Sequence, residues 1–223
     1  MINPSNRMKI SAVIFDLDGT ILEDEDEYGR AFNKVLKNLG IDSKTNFPQI
    51  KGIGVKENWP PLINKYGIKT NKLPEVLARE TQDAYLFEIN GITIRPGFED
   101  FVQDLKDSGI QIALATSNTW EMVEKILSKV GLDGIFDAIT TIDEVVFSKP
   151  DPSLFTITAD KLGVEREECL VIEDASSGVT AAQLAGMKVV AITEKDEDEK
   201  LLANADLVVE GFTEITPKVI EGL

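Results

Sequence analysis

Two acids stand one residue apart in Asp16-Leu17-Asp18, followed by Gly19 and Thr20. Carboxylates at this spacing can share a metal ion and divide two tasks: one attacks an electrophile while the other donates and accepts a proton. Gly19 allows a tight turn that exposes backbone amides to an anion. Three further segments carry related chemistry. Thr116-Ser117-Asn118 offers hydroxyls and amides of the kind that hold phosphate oxygens at a helix start. In Ser148-Lys149-Pro150-Asp151-Pro152 the prolines restrict the backbone around a lysine whose charge could offset a nucleophile and a phosphate. Glu173-Asp174, continuing into Ala175-Ser176-Ser177-Gly178, places hard carboxylate oxygens together, which suits magnesium. Taken singly, each segment also reads as a helix cap, a turn or a solvated lysine.

The elements that must position these residues are legible from hydrophobic pattern. Ala12–Phe15, Ile112–Ala115, Leu170–Ile172 and Val189–Ile192 are short, wholly apolar runs, the mark of strands buried on both faces; Leu207–Val209 is a weaker fifth. Between them lie helical stripes: Phe98, Phe101, Val102 and Leu105; Val123, Ile126, Leu127 and Val130; Leu154, Phe155, Ala159 and Leu162; Val179, Ala182 and Ala185. Each is followed by a glycine that can end a helix. Alternating strand and helix predicts an open α/β fold of Rossmann-like type, a parallel sheet with helices on both faces. The four segments follow or lie near the carboxyl ends of its strands, the edge where such sheets bind ligands.

Residues 22–93 break the rhythm. Ala31, Phe32, Val35, Leu36 and Leu39 form one stripe, Trp59, Leu62, Ile63 and Tyr66 a second, and Val76, Leu77, Tyr85 and Leu86 one or two more. This predicts a helical cap domain over 22–93, inserted into a discontinuous core of 8–21 and 94–223, with a return hinge near Ile94-Arg95-Pro96-Gly97. The runs Glu23–Glu27 and Glu194–Lys200 read as solvated loops or helix starts, where acids suit the macrodipole.

A formal net charge of −16 opposes binding to nucleic acid or to an anionic membrane surface, and it calls for a metal if the substrate is itself an anion. The absence of histidine removes Ser-His-Asp hydrolysis and histidine-based zinc sites. The lone Cys169 sits in a predicted strand, forms no internal disulfide and fits a cytoplasmic location. The longest apolar runs are too short to span a bilayer. Met1–Lys9 has no apolar leader core and reads as a frayed terminus, with Met8 as a second candidate start.

In this order on successive strands, Asp16-Leu17-Asp18-Gly19-Thr20, Thr116, Lys149-Pro150 and Glu173-Asp174 resemble the four motifs of the haloacid dehalogenase superfamily of phosphohydrolases, in its helical-cap branch. Ala181-Ala182 through Ala185-Gly186-Met187 resembles the stretch after the last acids. The resemblance implies Asp16 as nucleophile and Asp18 as general acid and then base. It implies Thr116 on the transferring phosphoryl, with backbone amides at Leu17, Asp18 and Ser117 and the neighbouring Asn118. It implies Lys149 as charge neutraliser, and magnesium held by Asp16, the Asp18 carbonyl and Asp174, with Glu173 as ligand or support.

In the family the cap sets specificity, and Lys51, Lys56 and Trp59 are the candidate cap contacts, with helix packing as the other reading of Trp59. Lys51-Gly52-Ile53-Gly54 resembles a cap loop of sugar-phosphate members. Members that the chain resembles include sugar phosphatases, phosphoglycolate phosphatase and β-phosphoglucomutase. The mutase uses a cap histidine. The matching region Glu27-Tyr28-Gly29-Arg30 has Gly29 and no histidine, which favours hydrolysis of a small phosphorylated metabolite over mutase chemistry. The acidic run Glu23–Glu27, on the expected hinge near the mouth, would repel highly anionic substrates and so favours a monophosphate; a monomer or homodimer is expected. Phosphomutase chemistry, metal-free dehalogenation and a non-catalytic binding role are the alternatives.

Overall fold

The computed structural model describes residues 10–193, 200 and 202–223; Met1–Lys9 and most of the Glu194–Lys200 run lie outside the described residues. The first strand, β1 (Ala12–Phe15), has no exposed residue. It can be buried so fully because its backbone is paired on both sides and its side chains meet a core on both faces. Leu22–Glu23 (β2) and Thr93–Ile94 (β3) form a small antiparallel pair. Gln111–Ala115 (β4) and Cys169–Glu173 (β6) flank β1 in parallel, in register Phe15 to Leu114 and Phe15 to Ile172. Ala138–Thr140 (β5), Lys188–Ile192 (β7) and Leu207–Val209 (β8) complete a six-stranded parallel sheet in the order β5-β4-β1-β6-β7-β8. Sequence pattern missed β5. It is a three-residue edge strand whose Ala138 and Ile139 are only half-buried, so it lacks the continuous apolar run of a central strand.

The period of two along β1 divides the core. Val13 and Phe15 face one cluster, with helices α4 (Phe98–Asp107), α5 (Trp120–Val130) and the short terminal α8 (Pro217–Gly222). Ala12 and Ile14 face the other, with α6 (Ser153–Leu162) and α7 (Ser176–Leu184). Phe15 meets Phe98 edge-on at 5.4 Å and Phe101 at 6.0 Å. Such pairs add about 0.5–1.5 kcal/mol beyond area burial, so they pin β1 firmly under its loop.

The segment between β2 and β3 forms three helices, α1 (Glu25–Asn38), α2 (Val55–Tyr66) and α3 (Pro74–Glu88). Phe32 and Trp59 pack at 5.7 Å, and the Trp59 ring N–H donates to Thr81 at 3.2 Å. Trp59 is fully buried among these helices, so packing, not substrate contact, accounts for it. Arg95, just after β3, ties the returning chain to the loop after β1: its side chain donates to the carbonyls of Gly19 at 2.8 Å and Thr20 at 3.0 Å. Among the described residues no helix is long and apolar enough to cross a membrane.

Candidate active site

From β1 the chain builds outward through β4 and β5 on one side, then crosses back to β6 and on to β7 and β8 on the other, so the sheet order reverses beside β1. A crevice opens at such a reversal, and the segments singled out by sequence meet there. Asp16 continues β1, its amide donating to the Ile172 carbonyl at 3.0 Å. Leu17 turns its side chain into the core, which leaves only its backbone for the site. Gly19 adopts a φ of +77°, and a Cβ there would lie 2.3 Å from Asp174 Oδ2. Glycine is thus required both by conformation and by the close approach of β1's loop to that of β6.

Lys149 lies on the loop before α6 and is buried. Its Nζ donates to Asp16 Oδ1 at 2.5 Å, to Glu173 Oε1 at 2.6 Å and to the Ala115 carbonyl at 3.4 Å. Burial alone would lower the lysine pKa, but Asp16 and Glu173 hold it above its ordinary value. Asp16 is pushed up to about 7: burial dominates, and Glu173 adds to it against the opposing pull of Lys149. Asp174 is held well above the usual carboxylate range by burial, with Glu173 and Asp16 adding to it.

These raised values mark an excess of negative charge that one lysine does not balance. Carboxylate oxygens of Asp16, Glu173 and Asp174 come within 4.8 Å of one another. Hard oxygen donors at this spacing fit a cation of the magnesium class. Glu173, however, already uses both oxygens, Oε1 on Lys149 and Oε2 on the Asp174 and Ala175 amides at 2.9 Å. Asp16 and Asp174 are the freer donors.

Asp18 sits across the loop from Asp16. Burial and then the neighbouring Asp24 raise it well above the usual range. Its Oδ2 accepts from Asn118 Nδ2 at 2.6 Å, while its Oδ1 has no hydrogen-bond partner among the described residues. Thr116 is buried at the end of β4, its hydroxyl oxygen accepting from the Asn118 amide at 3.1 Å. Ser117 donates to the Gly52 carbonyl at 3.2 Å, bringing the loop of the helical insert onto the core. Lys51 lines the resulting cavity beside Gln49 and is ion-paired with Glu25. Lys56 points away from it and pairs with Glu75 at 3.6 Å. Of the candidate contacts from the insert, only Lys51 reaches the cavity that contains Asp16 and Asp18.

Sequence reasoning overlooked Asp24, Tyr28, Gln49 and Tyr85. Asp24 was hidden in an acidic run that reads as solvated. Glu25, Asp26 and Glu27 do start α1, but Asp24 is fully buried and Glu27 nearly so. Burial pushes Asp24 up to about 6, against the hydrogen bonds it accepts from Tyr85 and the Gly19 amide.

The chain is similar to known proteins in sequence and fold. The family model for haloacid dehalogenase-like hydrolases matches residues 10–186. The protein YhcW of Bacillus subtilis (strain 168) is 32% identical over 209 residues, covering 92% of this chain and 94% of that one. Hexitol phosphatase B of Escherichia coli (strain K12) is 28% identical over 98% of this chain and all of its own. The crystal structure of β-phosphoglucomutase from Clostridium difficile matches with a TM-score of 0.84 at 29% identity, over 96% of both chains. With the motifs gathered at one sheet edge and the model matching most of its length, the chain belongs to the haloacid dehalogenase-like hydrolase family.

Proposed function

We propose that the chain is a magnesium-dependent phosphatase that hydrolyses a small phosphomonoester of the sugar-phosphate type through a phospho-aspartate on Asp16. The observation that carries this reading is the pairing of two unlike carboxyls on one loop: Asp16 held against Lys149, and Asp18 held by Asn118 with no cation beside it among the described residues. In the first step an Asp16 oxygen bonds to phosphorus, the bond to the leaving alcohol breaks, and Asp18 gives its proton to the departing oxygen. In the second, water adds to phosphorus, the bond to Asp16 breaks, and Asp18 takes the water's proton back. Lys149 offsets charge at Asp16, while the Thr116 hydroxyl, oriented by the Asn118 amide, holds the phosphoryl oxygens with the amides of Leu17 and Ser117.

Asp16, the Asp18 carbonyl and Asp174 would hold magnesium, with Glu173 positioning Lys149 and the Asp174 backbone. When bound, the ion supplies charge neutralisation at the phosphoryl group.

The cavity suits a compact ligand. Its volume of about 70 Å³ corresponds to roughly five waters at about 15 Å³ each. Among the described residues Lys51 is the one cation in its lining, and it is paired with Glu25, so the cavity favours one phosphate over two. That supports hydrolysis over mutase chemistry, which must hold a bisphosphate. The name of hexitol phosphatase B points the same way, towards a polyhydroxy-alcohol phosphate. The buried, unreactive Cys169, raised to about 11 chiefly by burial, accords with a cytoplasmic protein. The test is phosphate release from a panel of small phosphomonoesters with magnesium and with chelator. Release that needs magnesium and is lost in Asp16→Asn supports the reading; undiminished release by Asp16→Asn sinks it.

A further inference from the structure

Two tyrosines of the helical insert are stacked, their rings 3.9 Å apart at 24°. Each sends its hydroxyl toward Asp18 through a different partner. Tyr28, on α1, donates to Asn118 Oδ1 at 2.9 Å, and Asn118 in turn donates to Asp18 Oδ2 at 2.6 Å. Tyr85, on α3, donates to Asp24 Oδ2 at 2.6 Å, while the Gly19 amide donates to Asp24 Oδ1 at 3.0 Å. Through the Gly19 amide Asp24 holds the backbone next to Asp18. Tyr28, Tyr85, Asn118 and Asp24 are all buried.

Phenylalanine rings would fill the same space and stack as well. A buried hydroxyl costs stability unless it is bonded, so the two hydroxyls are explained by what they reach. We propose that Tyr28 and Tyr85 are positioning residues that clamp the Asp18 carboxyl, fixing it through Asn118 and Asp24 and leaving Oδ1 for the substrate. The helical insert thereby orients the acid only when it is seated on the core. Neither tyrosine hydroxyl acts on the reacting atoms directly. This inference rests on the reading of Asp18 as the proton donor to the leaving group.

Leaving-group dependence tests it. A basic alkoxide needs the proton from Asp18, whereas nitrophenolate leaves without one. kcat/KM, which reports steps up to phospho-aspartate formation, is compared for p-nitrophenyl phosphate and for the best alkyl phosphate of the panel. Tyr85→Phe and Tyr28→Phe should each lower the alkyl value about ten-fold more than the aryl value, a share of the roughly 100-fold or greater contribution of a placed acid. Asn118→Ser, which breaks one arm and keeps the stack, should give the same pattern. Equal losses on both esters, or no loss, would overturn the clamp while the hydrolase reading stood. No release from either ester by the unsubstituted protein would overturn both.

Discussion

Lys149 Nζ lies 2.5 Å from Asp16 Oδ1 with the lysine side chain wholly inaccessible to solvent. A charge so placed is stable only because Asp16 and Glu173 share it. Removing the cation leaves two buried carboxylates facing each other. Breaking a buried pair in this way costs about 3–5 kcal/mol. Lys149→Ala should therefore lower the unfolding free energy of the metal-free protein by that order, measured by urea denaturation. It should also lower kcat by at least about 100-fold, the usual consequence of losing a preorganised charge at a transferring group. Full activity in this variant would remove Lys149 from the reaction.

Metal binding gives an independent readout. Among the described residues no cation lies at hydrogen-bond distance from Asp174; its Oδ1 accepts from Thr20 at a long 3.3 Å. If Asp174 and Asp16 hold magnesium, the ion binds the folded chain alone and raises its melting temperature by mass action. At roughly a hundred times Kd this is about 2.7 kcal/mol. Thermal melts with millimolar magnesium should show the rise in the unsubstituted protein and lose most of it in Asp174→Ala. Glu173→Gln should lose less of it, since both Glu173 oxygens are already engaged.

Stability of the metal-free protein should depend on pH with a definite sign. The carboxyls of Asp16, Asp18, Asp24 and Asp174 are all raised above their ordinary value, Asp16 to about 7 and Asp24 to about 6. The unfolded chain releases these protons near pH 4, while the folded chain keeps those of Asp16 and Asp24 to about pH 6–7 and holds those of Asp18 and Asp174 well above the usual carboxylate range. Between those limits the folded state binds more protons, so rising pH favours unfolding. Each proton retained only by the folded chain costs about 1.4 kcal/mol of stability for every pH unit of rise. Denaturation in chelator should give a lower midpoint at about pH 8 than at about pH 5.5. Magnesium should flatten the difference, because the cation takes the place of the protons. A metal-free midpoint that rises across this range would contradict the placement of these acids.

How much of this was legible beforehand follows from what each residue does locally. β1, β4, β6 and β7 are buried on both faces, and their sequences say so without interruption. Asp16, Asp18, Thr116 and Asp174 each sit just beyond such a run, so their convergence follows from topology; Lys149, on the loop between β5 and α6, was legible only from its motif. The edge strand β5 and the pair β2–β3 are too short and too exposed to leave a pattern. Asp24 belongs to an acidic run by composition and to the buried site by geometry; only tertiary structure separates the two. Tyr28 and Tyr85 read as helix-face residues on α1 and α3, and nothing in either stripe tells that their hydroxyls meet partners from the core. Trp59 and Lys56 carry the residue types of ligand contacts, yet packing and a surface ion pair claim them.

The contact between insert and core supplies the last prediction. Gly52 has a φ of +75°, and a Cβ there would lie 2.4 Å from Ser177 Oγ and 2.5 Å from the Ala175 Cβ. Ser117 also donates to the Gly52 carbonyl, so this loop seats against the residues that follow both β4 and β6. Gly52→Ala adds one methyl group where neither the backbone conformation nor the space admits it. The insert must then move outward, since the side chains it meets are anchored on β6's loop and the start of α7. Global stability should fall little, because Gly52 lies in a loop outside both hydrophobic cores. Catalysis should suffer more: seating of the insert brings Tyr28 onto Asn118 and encloses the cavity. A decrease in kcat/KM of about ten-fold or more on an alkyl phosphate is expected, with a melting temperature within a few degrees of the unsubstituted protein. Unchanged kinetics would mean that the loop reaches its working position without this contact.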